Sequence, residues 1–251
     1  MGIIVCLGLP GSGKTAATVR EMVLNSHKKI YTNIIPKKPR KTPHIKKLDR
    51  SMIVSKEMTG YKGVKNPQPV YELKLNQDFW KGVSSDGPID CVLDEIHTML
   101  DARKFGSKLN KIMTDFLALI RRVLGQSQTG HGDLYLITQL DRRLDVIGRE
   151  MATQIRYHVC HYSKMCMDCN AAWNESSETP EPYQKCPRCS SHKLKRYAFY
   201  IEIWKFQNMQ AYQMWREFGA KMFYDHHHIT DIEDYFQYYD TMQWENLISE
   251  Y

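Results

Sequence analysis

Residues 3–15 read IIVCLGLPGSGKT, and the interpretation of the whole chain starts from this stretch. The apolar run Ile3–Leu7 is typical of a buried parallel strand. It leads into residues 8–15, which fit the pattern G-x-x-x-x-G-K-[ST], and a helical stretch is expected over residues 14–25. A strand, a glycine-rich loop and a helix in this order predict a phosphate cradle. Glycines let backbone N–H groups approach an anion, and the helix N-terminus adds positive potential.

Each fixed position of this loop has an expected chemical role. Lys14 would reach the β- and γ-phosphates of ATP, and the Thr15 hydroxyl would join the shell of a Mg²⁺ ion. The predicted nucleotide-binding residues are Gly8, Leu9, Pro10, Gly11, Ser12, Gly13, Lys14, Thr15 and Ala16. The alternative is a glycine-rich turn without a ligand, and the complete motif in its proper context disfavours it.

Length and composition indicate a folded protein with one large α/β domain and an insertion. The chain has 251 residues, of which 42% are hydrophobic and 25% charged. No segment reaches the ~18 consecutive apolar residues of a membrane span, so we expect a soluble protein of the cytoplasm. The net charge of +7 favours an anionic partner without specifying one.

A second informative stretch lies at residues 89–95, where an apolar strand ends in Asp94 and Glu95. We predict that Asp94 holds the Mg²⁺ shell and that Glu95 orients and deprotonates the attacking water. The pattern is weak alone and gains weight from its position downstream of the phosphate loop. A glutamate at this place favours hydrolysis over transfer to a small molecule.

Two later segments offer further candidates for catalysis. A helix over residues 111–124 ends in Arg121 and Arg122, which either complement the helix dipole or reach the γ-phosphate on a neighbouring subunit. The next apolar strand ends in Thr138 and Gln139. Gln139 is a candidate γ-phosphate sensor, and ordinary polarity at a strand end is the alternative.

The stretch between the helix after the phosphate loop and the strand at residues 89–95 has fewer recognisable patterns. Residues 36–47 are basic and interrupted by prolines, which predicts a loop that either contacts nucleic-acid phosphates or is simply solvated. Beyond it we expect a strand at residues 52–54, a loop at 60–69 and a short helix at 76–81.

Four cysteines form a C-x2-C-x16-C-x2-C pattern, the spacing of a zinc ribbon. The predicted Zn²⁺ ligands are Cys166, Cys169, Cys186 and Cys189. Four thiolates leave no open position, so the predicted site is structural, and a ribbon of this size needs the metal to fold. Unrelated free thiols and a redox pair are the weaker alternatives. We place the ribbon at residues 163–193, at the end of a β-hairpin.

The C-terminal stretch is expected to contain a strand at residues 197–206, a helix at 214–223 and an aromatic, acidic tail at 235–251. This tail is expected to pack on its own domain or on a neighbour. The histidines at 226–228 suggest metal binding at first sight. We expect them on an irregular segment, where adjacent side chains rarely converge on one ion.

Taken together, these motifs resemble the FtsK–HerA group of P-loop motor ATPases. The resemblance rests on the phosphate loop, on Asp94–Glu95, and on residues 137–139 followed by the Leu-Asp-Val-Ile segment at 144–147. The small size, the phrase at 94–103 and the Tyr-Asp-Thr at 239–241 resemble Zot-like ATPases, which include viral genome-packaging and virion-assembly enzymes. The resemblance covers residues 1–162 and, more loosely, 194–243.

This resemblance implies a homo-oligomeric ring, commonly a hexamer, with ATP at subunit boundaries and double-stranded DNA in the channel. It assigns nucleotide binding to Lys14 and Thr15, the metal to Asp94, the base to Glu95 and the sensor to Gln139. Its arginine-finger candidates are Arg121 and Arg122, and Arg103 is the next candidate. Two features depart from this pattern. Zot proteins usually carry a transmembrane segment after the ATPase domain, and none is predicted in this sequence. The predicted zinc ribbon lies outside the group's common core.

The sequence therefore predicts an α/β P-loop NTPase with a mostly parallel sheet flanked by helices. Residues 1–162 and 194–251 would form the ATPase domain, and 163–193 the inserted ribbon. The expected function is an ATP-hydrolysing motor on nucleic acid, in viral genome packaging or virion assembly. The alternative is a nucleotide-dependent scaffold that binds a capsid or assembly protein without translocation. A viral protein of either kind would lie in the host cytoplasm or with the virion.

Overall fold

The computed structural model describes residues 2–63, 68–83, 87–96, 108–125, 132–139 and 150–244. The strands are β1 (Ile3–Leu7), β2 (Lys29–Thr32), β3 (Ile34–Pro36), β4 (Ile45–Lys47), β5 (Val54–Lys62), β6 (Gln68–Leu75), β7 (Ile89–Leu93), β8 (Leu134–Ile137), β9 (Gln154–Cys166), β10 (Ala172–Ser176), β11 (Leu194–Phe206), β12 (Asp225–Ile229) and β13 (Tyr239–Trp244). The helices are α1 (Lys14–Leu24), α2 (Arg50–Ile53), α3 (Gln77–Val83), α4 (Lys108–Gly125) and α5 (Met209–Phe218), with a 3-10 helix at Ile232–Tyr235.

A nine-stranded sheet organises the described part of the chain. Its order is β12-β11-β9-β1-β8-β7-β2-β4, and β10 pairs with β9 outside this path. The six strands from β9 to β4 in this order pair in parallel. At the other side of β9, β11 and β12 add antiparallel pairs. Because the carboxyl ends of parallel strands meet at one edge, the residues that follow β1, β2, β7 and β8 lie close together.

Apolar clusters lie on both faces of the sheet, so β1 is buried on both sides. Ile3, Val5 and Leu7 face one apolar cluster, which α4 supplies with Phe116 and Ile120. Ile4 and Cys6 face the opposite cluster, which contains the apolar side of α1. The continuous apolar run of β1 thus reflects helices packed on both faces of a parallel sheet. The predicted fold class, a mostly parallel α/β sheet flanked by helices, is confirmed.

Several elements differ from the sequence-based expectation. The loop expected at 60–69 overlaps an antiparallel hairpin of β5 and β6, and the strand expected at 52–54 is the end of α2 followed by the start of β5. Most of β5 is exposed, so it lacks the apolar alternation that identifies a half-buried strand. The basic loop at 36–47 ends in the short strand β4, which pairs with β2.

The helix expected at 214–223 instead spans Met209–Phe218. Its start is set by Asn208, whose side chain accepts a hydrogen bond from the Ala211 N–H at 2.8 Å. Its end is set by Gly219, which adopts a left-handed φ of 67°. Both cap residues are readable in the sequence, but the apolar residues between them do not reveal the first turn.

Other expectations agree with the structure or lie outside its described part. The strand at 197–206 and the helices at 76–81 and 111–124 correspond to β11, α3 and α4. Arg103, the segment at 141–149 and the last seven residues, 245–251, lie outside the described residues. Among the described helices, none is long and apolar enough to cross a bilayer.

Candidate nucleotide-binding site

The phosphate loop connects β1 to α1 and depends on glycine at two positions. A Cβ on Gly8 would lie 2.4 Å from Ser12 Oγ and 2.6 Å from the His158 carbonyl oxygen. A Cβ on Gly13 would lie 2.4 Å from Ile201 Cδ1, and Gly13 also has a left-handed φ of 82°. At Gly11, by contrast, no described heavy atom lies within 4 Å of the Cβ position. The loop is therefore packed on its sheet side and open on its outer side.

Lys14 lies across this loop with its ammonium turned back toward the strand. Its Nζ donates to the carbonyl oxygens of Gly8 and Leu9 at 2.9 and 3.0 Å, and to Ser12 Oγ at 3.3 Å. Burial lowers the pKa of Lys14, whereas the carboxylates of Glu95 and Asp94 oppose this shift. A partly desolvated ammonium at a helix N-terminus favours an anionic partner, so the loop fits a phosphate group.

Thr15, in the first turn of α1, meets Asp94, which follows β7, although β8 lies between β1 and β7. The Thr15 hydroxyl donates to Asp94 Oδ2 at 2.9 Å. Burial raises the pKa of Asp94 to about 6, while the hydrogen bond from Thr15 works in the opposite direction. A hydroxyl and a carboxylate side by side are the oxygen donors that Mg²⁺ prefers, so these two residues fit the predicted metal shell.

Asn33, which follows β2, holds the backbone of Asp94 in place. Its Oδ1 accepts from the Asp94 N–H at 2.7 Å, and its Nδ2 donates to the Asp94 carbonyl at 3.0 Å. Asn33 is fully buried. Such paired bonds between a side chain and one backbone unit fix the end of β7, and Asn33 is thereby a positioning residue that the sequence analysis did not identify.

Glu95 and Gln139 complete the constellation from the ends of β7 and β8. Glu95 adopts a left-handed φ of 51°, which is uncommon for a residue with a side chain and occurs often at functional sites. Gln139 Nε2 donates to Glu95 Oε1 at 3.0 Å. The strand order explains this contact, because β8 lies between β1 and β7 and delivers Gln139 between the phosphate loop and Glu95.

The four cysteines of the C-x2-C pairs form a separate cluster at the far end of β9 and β11. All four sulfurs lie within 4.8 Å of one another. The Sγ atoms of Cys166 and Cys189, and those of Cys169 and Cys186, are each 3.5 Å apart. With Zn–S bonds of about 2.3 Å, sulfurs of a tetrahedral site would be about 3.8 Å apart, so the cluster fits a metal ion.

The two cysteine pairs sit on matching turns. In each, the N–H of the first cysteine donates to the carbonyl five residues later, from Cys166 to Ala171 and from Cys186 to Ser191, at 2.9 and 2.8 Å. The residues after the second cysteines, Asn170 and Ser190, both adopt left-handed φ values near 57°. Two equivalent turns that present four thiols to one point are the geometry expected of a zinc ribbon, and the hairpin position predicted for it is confirmed by the pairing of β9 with β11.

Comparison with solved structures returned low-identity matches. The N-terminal domain of zonular occludens toxin from Neisseria meningitidis matches with 15% identity and a TM-score of 0.44, covering 96% of this chain and 100% of that one. The genome packaging NTPase B204 from Sulfolobus turreted icosahedral virus 2, in complex with ATP-gammaS, matches with 17% identity and a TM-score of 0.34. That match covers 62% of this chain and 74% of the other. No family model and no curated protein matches the chain.

With sequence identities of 15% and 17% and TM-scores of 0.44 and 0.34, these matches show a general resemblance and carry no conclusion about function. The structure brings together Lys14, Thr15, Asp94, Glu95 and Gln139 at one edge of the sheet. They come from three separate stretches of sequence, at residues 14–15, 94–95 and 139.

The candidate finger residues lie elsewhere. Arg121 and Arg122 are exposed near the C-terminus of α4. The neighbouring Leu124 carbonyl accepts from the Gly132 N–H at 3.1 Å, which places this helix end beside the start of β8. That is the edge of the sheet opposite the phosphate loop. Arg121 and Arg122 therefore do not contribute to the site of their own chain, and their action on a neighbouring chain remains a prediction.

Two residues of the site escaped the sequence analysis, Asn33 and His158. Asn33 had a readable signal, since a polar residue follows the strand β2 at the edge where the site lies. His158 is buried within β9, and its Nδ1 lies 3.1 Å from the Arg156 carbonyl and 3.3 Å from the Leu7 carbonyl. A histidine in an alternating strand gives no sign of this contact, which depends on the pairing of β9 with β1.

Proposed function

We propose that the protein is an ATP-hydrolysing motor acting on nucleic acid, in viral genome packaging or virion assembly. The observation that carries the hydrolysis is the convergence of Thr15, Asp94, Glu95 and Gln139 around the phosphate loop, linked by bonds of 2.9 and 3.0 Å. The nucleic-acid motor and its viral role follow from the motif pattern that resembles FtsK–HerA and Zot-like ATPases.

The residues would divide the work as follows. Loop residues 8–16 hold the phosphates of ATP, with Lys14 as the cation, while Thr15 and Asp94 hold Mg²⁺, which neutralises phosphate charge. Glu95 accepts the proton of the attacking water, and Gln139 orients Glu95 through the bond between their side chains. Arg121 or Arg122 of a neighbouring chain would stabilise charge at the γ-phosphate if the subunits form the ring that the motif resemblance implies.

The cysteine cluster would hold Zn²⁺ as a structural ion, with Cys166, Cys169, Cys186 and Cys189 as its ligands. Desolvation raises the pKa of Cys166, but hydrogen bonds from the N–H groups of Cys169 and Asp168 and from neighbouring thiols outweigh it and lower this pKa to about 6, whereas hydrogen bonds among the thiols raise the pKa of Cys169 and Cys189. A thiolate that the backbone already stabilises is suited to bind a metal ion. The ribbon at 163–193 would then be a module attached to the ATPase domain.

The decisive variant for hydrolysis is Glu95→Gln. It keeps the size of the side chain and removes the base, so we expect ATP affinity within about threefold of wild type and a kcat lower by about 10²–10⁴. Equilibrium binding of a fluorescent ATP analogue and a phosphate-release assay measure the two quantities. Glu181→Gln is a matched control, because Glu181 is exposed in the loop that follows β10 and its replacement should leave kcat unchanged. A Glu95→Gln enzyme that hydrolyses ATP normally contradicts the assigned base.

A scaffold that binds ATP without moving DNA is the second candidate. Exposed apolar side chains around α5 and the loop after it favour a protein partner, and the most exposed is Phe218 at 71%. Hydrolysis with and without double-stranded DNA, combined with the mass in solution, separates the two. A motor should hydrolyse ATP faster with DNA and form a ring-sized assembly. Hydrolysis that ignores DNA, from a monomer or dimer, supports the scaffold.

A further inference from the structure

A second group of metal-ligating side chains lies on the antiparallel side of the sheet. His226 and His228 are on the edge strand β12, and Glu202 is on β11. The register pairs Glu202 with His228 and Trp204 with His226. Because alternate residues of a strand share a face, both histidines point to the same side as Glu202. The sequence predicts an irregular segment here, which is wrong, because residues 225–229 form the regular strand β12 and its alternation brings His226 and His228 to one face.

Three ligand atoms meet in this cluster. The Nε2 of His226 lies 2.7 Å and that of His228 lies 3.7 Å from Glu202 Oε1. The three ligand atoms of these residues lie within 4.8 Å of one another. In a tetrahedral site with bonds of about 2.0–2.1 Å, ligand atoms are about 3.3 Å apart. The two measured separations bracket this value, so small side-chain adjustments would seat one ion among the three.

A third histidine supports the carboxylate from the opposite strand. His161 on β9 has its Nε2 2.9 Å from Glu202 Oε2, whereas His226 lies 2.7 Å from the other oxygen, Oε1. Carboxylate ligands of metal ions are commonly oriented by such outer contacts. His161 is thus a positioning residue, not one of the three ligands.

The imidazole rings are already oriented by aromatic neighbours. His226 stacks on Trp204 with ring centroids 3.7 Å apart, and His161 stacks on Tyr200 at 4.6 Å. His228 meets Tyr200 edge to face at 5.8 Å. Ring contacts of this kind reduce the side-chain entropy that ligand binding would otherwise cost. The half-exposed His228 leaves one side of the cluster open to solvent.

We propose that Glu202, His226 and His228 form a binding site for a divalent transition-metal ion, with Zn²⁺ as the ion that the ligand set favours. Two imidazoles and one carboxylate, with an open fourth position, are a donor set that zinc accepts. The ion would tie the edge strand β12 to β11. Ile201, the residue before Glu202, lies against Gly13 of the phosphate loop, so β11 has the metal site on one face and the loop on the other.

The ordinary alternative is a hydrogen-bonded cluster in which the histidines only satisfy the carboxylate. Desolvation of Glu202 would raise its pKa, but the bonds from His161 and His226 outweigh this, and the net pKa is lowered. Such a cluster needs no ion. The two arrangements differ in metal content, which is measurable, and this makes the proposal testable without any assay of ATP hydrolysis.

The experiment uses the full chain without a histidine tag, dialysed against Zn²⁺ and analysed for bound zinc. With the cysteine cluster filled, wild type should bind about two zinc ions per chain, and the double variant His226→Gln with His228→Gln should bind about one. His227→Gln is the matched control, since it lies on the same strand and the opposite face. Circular dichroism checks that each variant is folded.

Spectroscopy with Co²⁺ separates the two sites, because cobalt–thiolate bonds give intense charge-transfer bands and imidazole–carboxylate sites do not. The proposal predicts a second Co²⁺ without thiolate bands, lost in the double variant and retained in the control. His161→Gln should lower the affinity for this second ion about 10–100-fold and leave the thiolate bands unchanged. Equal metal content in wild type and the folded double variant would overturn the proposal, as would uptake that always carries thiolate bands.

Discussion

At the scale of single residues, the candidate site depends on a few buried polar groups that hold one another. Asp94 receives bonds from Thr15 and from the Glu95 N–H at 2.9 and 2.8 Å, while Asn33 brackets its backbone. Thr15 is on α1 and Asn33 follows β2, whereas Glu95 is the next residue in the chain. Removing one therefore leaves a buried group unsatisfied, and the cost exceeds that of an exposed hydrogen bond.

Asn33→Ala tests this dependence. It leaves the buried N–H and carbonyl of Asp94 without their partner, so we expect a loss of about 1–3 kcal/mol in unfolding free energy and a lower kcat. Urea unfolding and phosphate release measure the two effects. Asn25→Ala, at the end of α1 far from the phosphate loop, should change both by much less. Normal stability and normal kcat in Asn33→Ala would show that the Asp94 backbone does not need this support.

His158 predicts a dependence of stability on pH. Burial, with help from the nearby charges of Arg156 and Lys14, lowers the pKa of His158 to about 3 from its usual 6.5. Between these values the unfolded chain binds a proton that the folded protein does not. Stability conferred by the neutral histidine is therefore lost as pH falls below about 6.5, by up to about 1.4 kcal/mol per pH unit.

The variant His158→Gln should flatten this dependence. Its unfolding free energy should be lower than that of wild type at neutral pH. Between about pH 6.5 and 5, the slope of unfolding free energy against pH should be smaller than in wild type by up to about 1.4 kcal/mol per pH unit, the value for one proton. Urea unfolding at a series of pH values gives the slopes. His192→Gln, an exposed histidine in the ribbon, should keep the wild-type slope. An unchanged slope in His158→Gln would mean that His158 does not remain neutral in the folded protein.

At the scale of elements, the ribbon differs from the rest of the molecule in how it is held. Its buried groups are mainly Cys166, Cys186 and the ion pair of Lys164 with Glu175, whose charged atoms are 2.7 Å apart. A module with so little apolar core needs another source of folding energy, and metal binding supplies it in proteins of this kind.

Cys186→Ser should therefore remove about one zinc ion per chain and expose residues 167–193 to proteolysis. We expect ATP binding to stay within about threefold of wild type, because Cys166 lies nine residues, or about 30 Å, along β9 from Tyr157, which pairs with Leu7 beside the phosphate loop. Metal analysis and limited proteolysis read by mass spectrometry give the result. Cys160→Ala, a buried thiol outside the cluster, is the control and should keep the zinc. Full protection of the ribbon after zinc loss would contradict a metal-dependent fold.

At the scale of the whole molecule, charge bears on the proposed partner. The basic segment after β3 is folded, since Lys41 N–H donates to the Lys38 carbonyl at 3.0 Å and β4 follows it. Within it, Arg40 and Lys41 are exposed. The net charge of +7 and this folded basic surface favour contact with phosphates that does not depend on base sequence.

Reversing two of these charges tests the contact. The double variant Arg40→Glu with Lys41→Glu should bind double-stranded DNA at least about tenfold more weakly, and the slope of log affinity against log salt should decrease by about 1.8. Fluorescence anisotropy over a salt series measures both. The double variant Lys56→Glu with Lys62→Glu, at two exposed lysines of β5, changes the net charge by the same amount and is the control. Equal losses in both variants would indicate a general charge effect and not a DNA-contacting segment.

Local patterns predicted the elements whose residues carry their own signal. The apolar run of β1, the glycines of the phosphate loop and the spacing of Ile112, Phe116 and Ile120 in α4 were all readable. The exposed hairpin of β5 and β6 was missed, because strands without a buried face lack apolar alternation. His226 and His228 were dismissed for a related reason, since the edge strand that aligns them forms only by pairing with β11.

By itself, the sequence determined the fold class, the glycine-rich loop after β1, the pair of carboxylates after β7 and the cysteine cluster, because each is encoded within a few neighbouring residues. Only the tertiary structure decided which distant groups meet. The sheet order delivers Gln139 to Glu95, brings Asn33 to Asp94, and leaves Arg121 and Arg122 at the opposite edge. Such meetings depend on strand pairing between segments far apart in the chain, which local composition and spacing do not specify.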